Sequence, residues 1–273
     1  MEKLNRFVAK HVLAVYFAIV ALIFALYIIV HPYLGQNQWI AIILVYVGIF
    51  LASRWTGTRH IALLKEPMRL WDEQCDPYPF LEEIRGHRNF AGVKILKQLR
   101  LINEGSAMMA LGDFNNAYYL LLPLQESVGK SKRKDLQTRY YMTVAQLCMA
   151  MDRIPEAEIW HEKMMNAYHL IKPEKRKKIF VEAMPFYYAR YYHAKQEYTQ
   201  ALQMLIGQEP KTLNDRVALA MHYGRNYYAL GQWDKAKDPL TFVAEYGNKL
   251  YAATQARQML AEIEAKEEET WRN

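Results

Sequence analysis

The chain has 273 residues, a formal net charge of +7, a pI of about 9.1, 20 tyrosines, 12 glycines and 2 cysteines. Cys75 and Cys148 stand apart, with no C-x-x-C spacing, which excludes the usual structural zinc pattern and a disulfide framework and reads as two reduced thiols. The basic balance speaks for anionic surfaces or partners and says nothing of fold.

From His11 to Ser53 the sequence carries no Asp, Glu, Lys or Arg. Val12–Val30 is apolar over 19 residues, about the length that crosses a hydrocarbon core of roughly 30 Å. Residues 38–53 make a shorter second apolar run, with Trp39 and Trp55 at its ends as interfacial aromatics are placed. A cleaved signal peptide fits less well, because the first run is too long and a second one comes after it. These features predict a transmembrane hairpin over 12–53 in a multi-pass cell-membrane protein. Lys3, Arg6 and Lys10 precede the hairpin, Arg54 and Arg59 succeed it, and the loop 31–38 has no Lys or Arg. By the positive-inside rule both termini, including the tail 1–11, are then cytoplasmic.

Residues 54–97 mix charge with apolar side chains and read as a juxtamembrane connector with helices that cap the next domain. Asp76-Pro77 has the form of a helix start, and a further helix is expected from about Phe90.

A spaced pattern then recurs. Gly105, Ala145, Ala189 and Gly224 are each matched twelve residues later by an alanine, Ala117, Ala157, Ala201 and Ala236. Seven residues after each small residue comes a turn position, Gly112, Asp152, Gln196 or Gly231, and two later an apolar or aromatic residue, Phe114, Ile154, Tyr198 or Trp233. This grid resembles the tetratricopeptide repeat. The alanines step by 40, 44 and 35 residues, against about 34 in that family, so longer helices or inter-repeat loops are expected. The resemblance implies an all-α chain, with a TPR-like α-solenoid of about four helix-turn-helix repeats over 98–249. The amphipathic stretch 250–273, ending in Glu262-Ile-Glu-Ala-Lys-Glu-Glu-Glu, is the expected capping helix.

No phosphate-binding glycine loop and no nucleophile elbow occurs. Trp160-His161-Glu162 lacks the second histidine of a zinc-protease helix. The reading is therefore a non-enzyme with no catalytic, metal or cofactor residues. The resemblance implies that the first helix of each repeat lines a concave groove. Its candidate partner-binding residues are Arg139, Met142 and Gln146, then Phe186, Arg190 and His193, then Met221, Arg225 and Tyr228. Arginines among aromatics suit a protein or peptide segment with acidic and apolar residues. The alternative is that the arginines pair with Asp215 or Glu182 and only stiffen the stack. Two basic runs supply a second candidate surface: Lys132, Arg133 and Lys134, with Lys175, Arg176, Lys177 and Lys178. Possible contact with anionic lipid is weighed there against solvated loops, and nucleic acid is not expected. The functional expectation is a membrane-anchored scaffold or adaptor; the alternative is a ligand- or peptide-responsive regulator signalling to a membrane partner.

Overall fold

The computed structural model describes residues 2–33, 38–87, 94–172 and 174–272, and every regular element among them is helical. In chain order the α-helices are α1 (Glu2–Lys10), α2 (Val12–Val30), α3 (Gln38–Gln74), α4 (Tyr78–Gly86), α5 (Lys94–Ala110), α6 (Phe114–Leu121), α7 (Leu124–Gly129), α8 (Lys134–Ala150), α9 (Ile154–His169), α10 (Glu174–Val181), α11 (Met184–Ala194), α12 (Tyr198–Gln203), α13 (Leu213–Ala229), α14 (Trp233–Tyr246) and α15 (Tyr251–Arg272). A 3-10 turn, His31–Tyr33, comes directly after α2. The middle of the loop between α2 and α3, and the start expected near Phe90 for the helix now seen as α5, lie outside the described residues.

The four expected repeats are the pairs α5/α6, α8/α9, α11/α12 and α13/α14, stacked as a solenoid. Their turns share one backbone solution. Gly112, Asp152, Gln196 and Gly231 all have positive φ, at 83°, 57°, 63° and 70°. The next amide but one from each helix end reaches back five residues: Asp113 N to Met108 O, Arg153 N to Cys148 O, Glu197 N to Tyr192 O and Gln232 N to Tyr227 O, all at 2.8–2.9 Å. This is the Schellman closure, which satisfies carbonyls that a helix end leaves orphaned. Two repeats use glycine there; Asp152 and Gln196 bear the left-handed cost of about 1–2 kcal/mol instead. Beyond each turn Ala117, Ala157, Ala201 and Ala236 are buried to within 1%, where the returning helix crosses. Gly224 marks the closest approach: a Cβ there would lie 2.7 Å from Leu240 Cδ2 and Cγ.

The excess period is filled by helices rather than loops. α7, after Pro123, lies between the first and second repeats, and α10 between the second and third. At the amino-terminal end, Asp76 Oδ1 accepts from the Tyr78 amide at 3.1 Å, opening α4, which buries Phe80, Leu81 and Ile84 against the first repeat.

The expected membrane anchor is corrected. Among the described residues no helix is long and apolar enough to cross a membrane. The second apolar run is not an element of its own: it is the first half of α3, which continues unbroken through Arg54, Arg59, Lys65, Glu66 and Arg69. The transmembrane hairpin, the multi-pass cell-membrane location, the membrane-embedded state and the sidedness of the termini therefore have no span to rest on. What is present is a helical hairpin. Ile23 of α2 packs on Gly48 of α3, where a Cβ would meet Ile23 Cδ1 at 3.0 Å, and α1 folds onto α3 with Val8 buried.

The turn and crossing geometry makes two substitutions informative. Gln196→Gly removes a left-handed Cβ and is expected to raise stability by about 1 kcal/mol or less. Gly224→Val is expected to lower it by about 1–3 kcal/mol through overpacking against Leu240. Chemical denaturation reads both; an unchanged midpoint for Gly224→Val would mean that α13 and α14 do not meet there.

Candidate functional site

The solenoid curls until its two ends meet. Lys249 N donates to Cys75 O at 3.3 Å and Asn248 Nδ2 to Gln74 O at 2.7 Å, tying the loop before α15 to the end of α3. Tyr251, the first residue of α15, then reaches the turn of the first repeat. Its ring stands edge-on to Phe114 at 5.1 Å, and a Cβ on Gly112 would lie 2.6 Å from Tyr251 Cδ2. Gly112 thus serves both the left-handed turn and the close approach of α15. Trp71 of α3 packs against both hydrophobic clusters, one built on the first two repeats and one on α13–α15.

Within this closure lies a pocket of about 600 Å³ that opens to solvent on one side. Its apolar wall comes from Trp71, Met109, Phe114, Met149, Tyr251 and Met259; its polar wall comes from α11 and α13 through Arg190, His193, His222 and Arg225. Hydrogen bonds define the polar wall. Asn226 Nδ2 donates to His222 O at 2.7 Å, leaving Asn226 Oδ1 to accept from His193 Nδ1 at 2.8 Å. Arg225 Nη2 donates to His222 Nδ1 at 2.7 Å. Since a guanidinium only donates, His222 is neutral at Nδ1. Burial first, and the Arg225 charge second, push His193 down to about 4 and hold His222 well below the usual imidazole range. Burial also lowers the Arg190 and Arg225 guanidiniums, and Arg190's charge adds to the effect on Arg225.

Of the expected groove residues, Gln146, Arg190, His193, Met221 and Arg225 line this cavity. The others are elsewhere. Arg139 is exposed and donates to Asn103 Oδ1 at 2.7 Å. Met142 is in the core. Phe186 packs on the His222 ring at 5.9 Å, and Tyr228 donates to Glu262 of α15, with Lys266 over its ring. The pairing alternative for the arginines is also resolved. Asp215 forms a capping box with Thr212 at the start of α13, and Glu182 pairs with Lys211 at 2.5 Å. Trp71, Tyr251 and Met259 were not expected in the site; the apolar stripe of α15, continuing past what one repeat covers, was the available signal.

The basic runs converge on one edge. Asp135 pairs with Arg133, its Oδ1 accepting from Nε at 2.8 Å, and Arg176 acts on the same carboxylate. Lys134 Nζ donates to Gln137 Oε1 at 2.9 Å, and Lys177 lies 5.0 Å over the Tyr168 ring. Lys132 and Lys178 are exposed; the side chain of Lys175 lies outside the described residues. Both thiols are buried, and burial pushes each up to about 11, the opposite of an activated nucleophile. Among the described residues no group of His, Cys, Asp and Glu is arranged to hold a metal.

No protein-family model matches the chain, and no curated protein and no solved structure matches it either.

The buried imidazoles predict a pH dependence. Their folded-state pKa values lie below the ordinary value of about 6.5, so the unfolded chain takes the protons first. Their contribution to stability is present above about pH 6.5 and is lost as pH falls from there towards 4. Scanning calorimetry from pH 7.5 to 5 should show a falling Tm, with a shallower fall in His193→Gln. Parallel profiles would show that His193 does not titrate as its burial requires.

Proposed function

We propose that this chain is a helical-repeat binding module, of the tetratricopeptide-like kind, that takes a short protein or peptide segment in its central cavity. The observation that carries the reading is the shape of the cavity. A groove open along its length would suit a long partner strand, whereas a pocket of about 600 Å³, open to solvent on one side and bounded by the repeats, α3 and α15, suits a short one, within the usual range for ligand sites. The wall composition supports the same reading. Methionines and aromatics offer adaptable apolar contact, and a few convergent polar groups fix orientation. The buried, raised thiols favour binding over catalysis.

The contact of the pocket with α3 also favours a regulatory role over a purely scaffolding one. Trp71 belongs to α3, the helix that runs on into the amino-terminal hairpin. An occupant touching Trp71 therefore bears directly on the element joining the cavity to the hairpin, which gives binding a route to a conformational output.

Affinity selection of a pentapeptide library on the full chain, read by mass spectrometry, tests this. The wild type should retain a defined subset at one peptide per chain. Ala218→Trp, which puts an indole into the cavity from the α13 wall, should retain none of it while keeping the wild-type circular dichroism. A library that yields no binder, or binders equally well held by Ala218→Trp, would end the cavity reading.

A further inference from the structure

The charged groups of the α11–α13 wall are both cations. Arg190 and Arg225 both face the cavity, and among the described residues the charges acting on them include no carboxylate. The lining carries one acid, Asp152, in the α8–α9 turn, and it does not act on either guanidinium. Two donors of lining residues, Arg225 Nε and Trp71 Nε1, are buried behind the cavity surface with no hydrogen-bond partner. Neighbouring imidazoles do not relieve this, because both are neutral and supply no negative charge: His193 donates from Nδ1 to Asn226 and His222 accepts a single bond from Arg225. Two like charges held side by side in a partly buried wall, with no counter-charge acting on them, are costly to fold. An occupant with a negative charge and several acceptor oxygens removes that cost in one step.

We infer that the cavity is an anion site, in which Arg190 and Arg225 hold a carboxylate or phosphate group of the bound molecule. The inference rests on the cavity being a ligand site and adds the chemistry that anchors the occupant. Oxyanions match the wall because a guanidinium presents a planar fork of donors to two oxygens at once. Carboxylate and phosphate share that geometry, so either a peptide carboxylate or a free phosphate-bearing molecule meets it. A cationic or purely apolar occupant leaves both charges uncompensated. The neutral imidazoles set the size of the charge: with His193 and His222 unprotonated near pH 7, the wall offers two positive charges rather than four.

The test uses the full chain at constant ionic strength, with inorganic phosphate, and separately a library-selected pentapeptide compared with its carboxyl-amidated form and with acid-to-amide replacements. Titration calorimetry and thermal melts are run on wild type, Arg190→Met, Arg225→Met and the control Lys178→Gln on the basic edge. Phosphate should raise the wild-type and Lys178→Gln Tm saturably, and either arginine change should weaken phosphate binding about tenfold or more. Arg190→Met should also melt higher than wild type without ligand, because an uncompensated charge is gone. The Arg190 guanidinium has no carboxylate acting on it, so Arg190→Met keeps the test readable if Arg225→Met, which also loses the bond to His222, fails to fold. If phosphate binds and the peptide arm does not, the anion site stands with a free anion as source and the peptide reading fails. A peptide bound equally well when neutralised, and indifferent to Arg190→Met, overturns the anion site and leaves the cavity reading intact. Phosphate binding unchanged in Arg190→Met, or lost only with Lys178→Gln, overturns it outright.

Discussion

The contact on which the rest depends is that of Tyr251 with the turn of the first repeat. A helical solenoid has two exposed apolar ends that must be covered. Here the ends cover each other: α15 returns from the last repeat to Gly112 and Phe114, and Trp71 bridges the two clusters. Remove that contact and the inner face becomes an open groove; keep it and the face becomes the wall of a cavity.

Closure also changes the electrostatics of the inner face. On an open groove Arg190 and Arg225 would be solvated, and their mutual repulsion screened by water and salt. Inside the ring, burial lowers both pKa values, and the histidines beside them are kept neutral. A fold that gains stability by burying apolar surface has placed its least easily buried groups at its centre. Such local conflict is characteristic of a site shaped by something other than stability.

The same closure accounts for the residues that do not face the cavity. Arg139 of α8 bonds to Asn103 of α5, while α15 takes up Tyr228 through Glu262. The inserted helices α7 and α10 lengthen the outer edge, and there the two basic runs meet at Asp135. The polar half of α15 is neutralised in part by Lys237, which pairs with Glu267 at 2.6 Å.

What the sequence by itself determined was local. The helix-turn-helix pairs, their left-handed turn positions and the alanines at the crossings were legible at fixed spacing, because a Schellman turn and a close helix crossing each constrain residues a few positions apart. Candidate site residues were legible only to the depth of one helix face, of which Gln146, Arg190, His193, Met221 and Arg225 line the cavity and Arg139, Met142, Phe186 and Tyr228 do not. The apolar amino terminus misled for a related reason: composition reports hydrophobicity, whereas α3 is one continuous helix that carries its apolar half directly into charge. Tertiary structure alone decided that the chain's end meets its first repeat, that Trp71 and Tyr251 are cavity walls, and that two arginines share the cavity with no carboxylate acting on them. These are contacts between residues far apart in sequence, set by the accumulated rotation of the stacked repeats, and no spacing within one repeat encodes that sum.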